Sequence, residues 1–297
     1  MKSITICDIK FDCSDNILPS FSDVAWVYGK WTKNASVPGW NGFMEQATSG
    51  KHYECSKIVC LPFINAPPSD ADTVFTSLLA AKEKCESLNL KSCIVTFDQS
   101  LYWKARDMVM NSQNPELSDV IVRLGGFHLL MSFMGAVGTI MAGSGLKDLF
   151  CVIYAENSVE KMLSGHAYSR AARAHILAHA ALSSLVLEQL ELTNEESSAV
   201  EKIIVDGDKS IVLRAHENSK LYSVRMKLKN MLCKVESNGP TSKLWVQYLR
   251  MITLLKDFIQ AERMGYWNLH VDTIIEMLPY FHAAGHFKAH ICIIRIW

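Results

Sequence analysis

Apolar and polar positions divide the sequence into two parts. In the first part, apolar runs typical of buried strands at 57–65, 92–98 and 117–124 alternate with segments of helical periodicity. The order strand, helix, strand is typical of an α/β fold with a buried sheet. From residue 158 onward, apolar residues recur at helical spacing almost without interruption. The pattern therefore predicts an α/β part followed by a helical part.

The same pattern sets the boundaries of these parts. Residues 1–54 show no regular period and are predicted to form an irregular N-terminal segment. The α/β core is predicted at 55–157 and the helical part at 158–290, either as a second domain or as an insertion into the α/β fold. Residues 291–297 complete the apolar run HICIIRIW, which we interpret as an atypical tail left by truncation or by a shifted reading frame.

Individual residues indicate the type or the ends of several of these predicted strands and helices. Pro62 lacks the N–H of a ladder hydrogen bond, so the run at 57–65 is predicted to be an edge strand or two short pieces. Pro279 is expected to end the last helix. The run LFCVIYA at 149–155 fits a strand or a continued helix equally well. The segment TNEESSAVEKIIV opens with a capped, acidic first turn, which predicts a helix.

Composition and charge narrow the class of protein. Hydrophobic residues make up 49% of the 297 residues and charged residues 20%, which excludes a disordered chain. Thirty basic and thirty acidic residues give a formal net charge of zero. This balance counts against DNA binding over the whole surface but leaves a local basic groove open. The apolar run at 127–142 is shorter than the ~20 residues of a membrane span, so we predict a buried helix and no membrane association.

The nine cysteines indicate a reducing compartment, either nuclear or cytoplasmic, because they form no CxxC motif and no signal peptide opens the chain. Unpaired structural thiols are the preferred interpretation. The alternative is a zinc site whose spacing fits no common motif. Its ligands would be Cys7, Cys13, His52, Cys55 and Cys60.

Asp98 and His128 are candidate site residues at the ends of two predicted strands. A carboxylate at the end of SCIVTFD can hold Mg²⁺ or can cap the following helix, with Ser100 as a competing cap. From the residues alone, capping by Asp98 is preferred. His128 precedes the apolar run LLMSF and is predicted to be a buried residue rather than a ligand. Gly125 and Gly126 in front of it allow a close backbone approach or a positive φ.

Histidines recur at a spacing of four in the helical part. His166, Arg170 and Arg173 share one helix face, which fits phosphate binding, although a solvated face is preferred. His175 and His179 form an HxxxH pair that lacks the glutamate of HExxH metalloproteases, so zinc is weakly indicated. A further set with this spacing and no adjacent carboxylate is His282, His286 and His290.

Five segments together resemble a family of transposon-derived proteins that is expanded in invertebrate genomes. The segments are VTFDQSLYWKA, VIVRLGGFHLLMSFMGAVGTIMAGSGL, SGHAYSRAARAHILAHAAL, WVQYLRMITLLKDFIQAERMGYWNLH and MLPYFHAAGH, and they fall within residues 55–288. The resemblance implies a transposase-like fold: a ribonuclease-H-like mixed-sheet α/β core with a large all-helical insertion, here truncated at the C-terminus. Relatives of this kind use three acidic residues to hold Mg²⁺.

The resemblance implies Asp98 as the first acidic residue and a metal ligand. The second acidic residue would fall in the turn that here reads GGFH, so Gly126 stands in its position. The third would be Glu262. His128 lies in the same turn as Gly126, but imidazole is a poor ligand for Mg²⁺. Because two-metal phosphoryl transfer needs carboxylates that hold two cations ~4 Å apart, the missing acid predicts a site without strand-cleaving activity.

The sequence thus leads to three functional hypotheses. The first is a transposase-derived protein without strand-cleaving activity that retains binding to DNA, or to protein partners through its helical half. The second is an active Mg²⁺-dependent DNA nuclease or strand transferase that uses Asp98, Glu262 and a third acid such as Asp119 or Asp148. The third is a helical scaffold for protein interactions with no role on nucleic acid. The first two require SCIVTFD and LGGFH to lie side by side on neighbouring strands.

Overall fold

The computed structural model describes residues 20–48, 58–111, 117–205 and 218–286. The elements in chain order are α1 (Phe21–Trp31), α2 (Trp40–Ala47), α3 (Ala71–Ser87), β1 (Cys93–Phe97), α4 (Gln99–Asn111), β2 (Val120–Leu124), α5 (Gly126–Ile140), α6 (Leu146–Cys151), α7 (Glu156–Leu163), α8 (Tyr168–Leu187), α9 (Asn194–Val205), α10 (Ser219–Glu236), α11 (Pro240–Met264) and α12 (Trp267–Ala283). They belong to two compact units. The α/β unit contains residues 58–132, and the helical unit contains residues 20–48 and 133–285.

The α/β unit is built on a two-stranded parallel sheet. Strands β1 and β2 pair in register from Cys93 opposite Val120 to Phe97 opposite Leu124. Helices α3 and α4 contact both the strands and each other, and their apolar residues share a core with Cys93 and Val120. Because successive strand residues point to opposite faces of a sheet, the neighbours of Cys93 and Val120 point away from this core, and Ile94 is 66% exposed. Helices therefore cover one face of this sheet, while the opposite face stays open to solvent in the described part of the chain.

The predicted ribonuclease-H-like mixed sheet is wrong. The described residues are mostly helical, and their sheet has two parallel strands and no antiparallel pair. The apolar run at 58–65 pairs with neither strand, and its side chains are exposed. The run at 149–155 contains the end of α6, from which Phe150 is buried. The sequence resemblance implied this sheet, and the apolar runs did not argue against it, because runs of this length do not distinguish a strand from a buried helix segment.

The helical unit begins with two helices that the sequence pattern missed. Residues 1–54 were predicted to be irregular, yet α1 and α2 lie within them. Ser20 caps α1, because its hydroxyl accepts the N–H of Asp23 at 3.2 Å. Trp26 in α1 and Phe43 in α2 are fully buried in the core of this unit. The aromatic segment SVPGWNGF thus supplies core residues from a helix.

The later helices follow the predicted pattern more closely. The last turn of α11 ends at Gly265, whose φ of 65° is the left-handed conformation that favours glycine. Helix α12 runs through Pro279 to Ala283, so the expectation that Pro279 ends the helix is wrong. Helix α5 confirms the predicted buried helix at 127–142, because Phe133 and Met134 are fully buried. No helix in the described ranges is long and apolar enough to cross a membrane.

Candidate functional site

The carboxyl ends of β1 and β2 bring Asp98 next to the glycine turn. Phe97 and Leu124 are register partners, and each is the last residue of its strand. The N–H of Gly125 donates to the carbonyl of Phe97 at 2.8 Å. The requirement that SCIVTFD and LGGFH lie on neighbouring strands is therefore met. The sheet edge where α/β proteins place functional side chains is formed here by these two segments.

Asp98 caps α4 at this edge. Its Oδ1 atom accepts the backbone N–H of Leu101 and the hydroxyl of Ser100, each at 2.9 Å. The Leu101 N–H lowers the pKa of Asp98 below its usual value, and the Ser100 hydroxyl and the His128 ring act in the same direction. Half-burial of the carboxyl opposes this effect. The capping interpretation of Asp98 is confirmed, since the carboxylate satisfies a backbone donor of the first helical turn.

Close packing explains the glycine at the end of β2. A Cβ atom on Gly125 would lie 3.2 Å from the carbonyl oxygen of Phe97 and 3.6 Å from the methyl group of Thr96. Of the two roles predicted for the glycines, Gly125 fills that of a close backbone approach, because its φ is not positive. Gly126 then opens α5 and brings no side-chain oxygen to the edge.

His128 is exposed, so the prediction of a buried histidine is wrong. It lies in the first turn of α5, and its ring packs edge-to-face against Phe127, with a centroid distance of 5.5 Å. Phe127 is itself 52% exposed. The apolar residues LLMSF that suggested burial begin one residue later, where Leu129 turns into the core.

Glu262 lies on α11 of the helical unit, whereas Asp98 belongs to the α/β unit. The Oε1 atom of Glu262 is 2.7 Å from Nδ1 of His270, a buried residue of α12. The other candidate acids are Asp119 and Asp148. Asp119 immediately precedes β2, and its carbonyl accepts the N–H of Cys93, so it lies at the opposite end of the sheet from Asp98, six residues or roughly 20 Å along the strand. Asp148 is an exposed residue of α6 in the helical unit.

The residues at the sheet edge do not fit a pair of Mg²⁺ ions. Asp98 supplies one carboxylate, whose Oδ1 atom is already engaged by two donors, and Gly126 supplies none. Two-metal sites need several carboxylate oxygens from different elements. Across the described ranges there is no group of three or more His, Cys, Asp or Glu side chains that could hold a metal ion.

The sequence analysis missed a buried ion pair in the helical unit. Nζ of Lys256 in α11 lies 3.0 Å from Oδ1 of Asp23 in α1, and both side chains are 1% exposed. The indole N–H of Trp40 in α2 donates to the same oxygen at 2.7 Å. On the other side, Lys256 approaches Nδ1 of His179 at 3.4 Å, and Nε2 of His179 lies 3.3 Å from the hydroxyl of Thr253. These five residues, which we call the buried ion-pair cluster, link four helices.

The HxxxH pair forms part of the core. Burial lowers the pKa of His175 to about 3, and burial together with the Lys256 charge lowers that of His179 well below its usual value. Both rings are therefore neutral at physiological pH. Nδ1 of His175 lies 2.9 Å from the hydroxyl of Tyr248. The stripe of His166, Arg170 and Arg173 is exposed, which confirms the solvated face.

One sequence signal pointed to this cluster. Lys256 stands in MITLLKDFI and Asp23 in FSDVAWV, and each is surrounded by apolar residues on its own helix. A charged residue inside such a stripe faces the core and needs a partner of opposite charge.

Of the residues in the zinc alternative, Cys60 is exposed, and Cys7, Cys13, His52 and Cys55 lie outside the described residues. His290 and residues 291–297 also lie outside them.

The fold and the sheet edge define a largely helical two-unit protein with a small parallel α/β unit. Residues 39–294 match the model of the family described as "Domain of unknown function (DUF8702)". This match covers most of the chain, so the chain belongs to that family. The comparisons with curated proteins and with solved structures found no match.

Proposed function

We propose that this protein is a binding protein without strand-cleaving activity and that its partners are proteins. One observation carries the first part: Oδ1 of Asp98, the residue implied as the first metal ligand, accepts the Leu101 N–H at 2.9 Å and serves as a helix cap. Gly126 adds no acid beside it. Transposon ancestry remains a proposal that rests on the sequence resemblance, and nuclear or cytoplasmic localisation remains a prediction.

Two ion pairs of the helical unit favour protein partners over DNA. Lys227 of α10 pairs with the buried Glu196 at 2.7 Å, and Arg250 of α11 pairs with Glu236 through two bonds of 2.7 and 3.1 Å. Cationic groups that are neutralised in this way contribute little to phosphate binding, which depends on release of counterions by free Lys and Arg. The balanced net charge of the chain also disfavours binding to DNA.

An exposed apolar run supports binding to proteins. Leu149, Val152 and Ile153, at the end of α6 and just beyond it, are 41%, 81% and 72% exposed. Soluble proteins rarely leave several large apolar side chains together in water unless a partner covers them. We therefore place a protein-binding surface at residues 149–153 of the helical unit.

Two assays on the full chain test this proposal. Supercoiled DNA incubated with Mg²⁺ should stay intact, and DNA binding measured by fluorescence anisotropy should be weak at physiological salt. Cleavage that Asp98→Asn abolishes would contradict the proposal. So would tight binding that falls steeply with salt and is lost in an Arg170→Glu/Arg173→Glu variant, because DNA would then be the ligand.

Affinity capture with matched variants tests the surface. A protein captured by the wild type should be lost with Leu149→Asp and kept with Leu177→Asp, since Leu149 and Leu177 are similarly exposed, at 41% and 45%. Equal capture by the two variants would exclude residues 149–153 as the binding surface.

A further inference from the structure

An apolar segment in front of α3 is exposed along its whole length. We call residues 58–63 the apolar segment. Ile58 is 92% exposed, Val59 74%, Leu61 52% and Phe63 96%. In a strand, Val59, Leu61 and Phe63 would share one face. The sequence predicts an edge strand at this position, yet the segment forms no strand within a single chain.

The sheet of the same unit is open next to β1. In the described ranges β1 pairs only with β2, so its other edge presents unpaired N–H and C=O groups. Ile94 and Ile121 are register partners on the open face and are 66% and 52% exposed. Parallel sheets are normally covered on both faces, and a two-stranded sheet is marginally stable. An open edge of this kind is a template for a further strand.

The connection between the apolar segment and α3 is held in place. Pro67 and Pro68 fix two backbone φ angles. The N–H of Asp70 donates to the carbonyl of Pro67 at 3.1 Å, and Nζ of Lys104 in α4 donates to the carbonyl of Ser69 at 2.5 Å. A restricted connection of this kind hinders folding back onto the sheet of the same chain, and it favours exchange of the strand between two copies.

We propose that the apolar segment of one copy adds as a parallel strand to the free edge of β1 in a second copy, and that the exchange is reciprocal. Pro62 fits this position, because an outermost strand can direct a residue without N–H away from the ladder. The added strand brings its apolar side chains beside Ile94. The proposal goes beyond the proposed function and does not depend on it.

The available area reaches the range of stable dimers. At roughly 100 Å² of apolar surface per fully exposed apolar side chain, the exposed fractions of the four segment residues and of Ile94 give at most about 760 Å² over two reciprocal contacts. With about 60% of an interface apolar, the total is at most about 1,300 Å². Stable protein interfaces bury about 1,200–2,000 Å².

Sedimentation velocity of the full chain tests the proposal, over concentrations from about 1 to about 100 μM. The wild type should form a dimer, and Leu61→Lys should raise its Kd at least about tenfold, because a charged side chain would replace an apolar contact beside Ile94. The matched control is Leu90→Lys in the same unit, since Leu61 and Leu90 are 52% and 54% exposed. The control should leave the Kd within about twofold of the wild type.

Hydrogen exchange provides a readout that does not depend on the variants folding. Amides of Cys93–Phe97 should exchange more slowly as the wild-type concentration rises, since the added strand protects the free edge of β1. A monomer at every concentration would overturn the proposal. So would a dimer that Leu61→Lys and Leu90→Lys weaken equally, or a dimer in which β1 gains no protection.

Discussion

Removing Lys256 should strongly destabilise the helical unit. Lys256 and Asp23 are 3.0 Å apart with side chains 1% exposed, so replacing the lysine by methionine leaves a buried carboxylate. Its Oδ1 atom would keep the Trp40 indole as a donor, and Oδ2 already has no hydrogen-bond partner among the described residues. At an effective dielectric constant of about 20, two charges this close attract by about 5 kcal/mol. Desolvation offsets much of that, and breaking such a pair costs about 3–5 kcal/mol.

Urea denaturation of the full chain measures this cost, with the fluorescence of the buried Trp26 and Trp40 as the signal for the helical unit. We expect Lys256→Met and Asp23→Asn each to lower the free energy of unfolding by about 3–5 kcal/mol. The double variant should be less destabilised than the sum of the two, because no unpaired charge remains. Lys147→Met, at an exposed lysine that pairs with Glu156, serves as the control and should change the midpoint little.

Strict additivity of the two single substitutions would refute the ion pair, since independent sites add and coupled sites do not. A Lys256→Met variant as stable as the wild type would refute the burial of an uncompensated charge.

Three further substitutions test other parts of the helical unit. Gly138→Ala should cost about 1–3 kcal/mol in urea denaturation, because a Cβ there would overlap the carbonyl of Leu163; an unchanged midpoint would contradict this packing. The hydrogen bond from Lys227 lowers the pKa of Glu196 to about 2, so the wild type should lose ~3 kcal/mol as pH falls from about 4.5 to 2. This pH dependence should be absent from Glu196→Gln. Burial raises the pKa of Asp257 from 3.8 to about 8, so the folded state retains a proton that the unfolded state releases, and stability should fall as pH rises through this range. A thermal-unfolding series in which Asp257→Asn keeps the wild-type slope would show that another group is responsible.

Sequence reasoning worked where one local pattern decides the structure. The run SCIVTFD, a helix and the run ending in LGGFH form a strand–helix–strand unit, and short connections of this kind make neighbouring parallel strands. The position of Asp98 beside Gly125 followed from that rule. The cap at Asp98 followed from its place one residue before a helix.

The features of the fold and the site that the sequence did not predict depend on contacts between residues that are distant in sequence. Asp23 and Lys256 are 233 positions apart, and no local pattern shows that they meet. The helices α1 and α2 were missed because their glycines, tryptophans and polar residues hide the helical period. Burial in the tertiary structure stabilises these helices despite their weak local propensity. The sheet was overestimated because the apolar runs at 58–65 and 149–155 fit a strand as well as other structures.

Thermal unfolding of the full chain with and without Mg²⁺ distinguishes a helix cap from a metal ligand at Asp98. Aspartate and asparagine cap helices about equally well, so Asp98→Asn should match the wild type, and Asp98→Ala should be about 1 kcal/mol less stable. Mg²⁺ should leave the midpoints of all three proteins unchanged. A midpoint that rises with Mg²⁺ in the wild type but not in Asp98→Asn would show that Asp98 binds the metal, because a ligand stabilises the folded state that holds it.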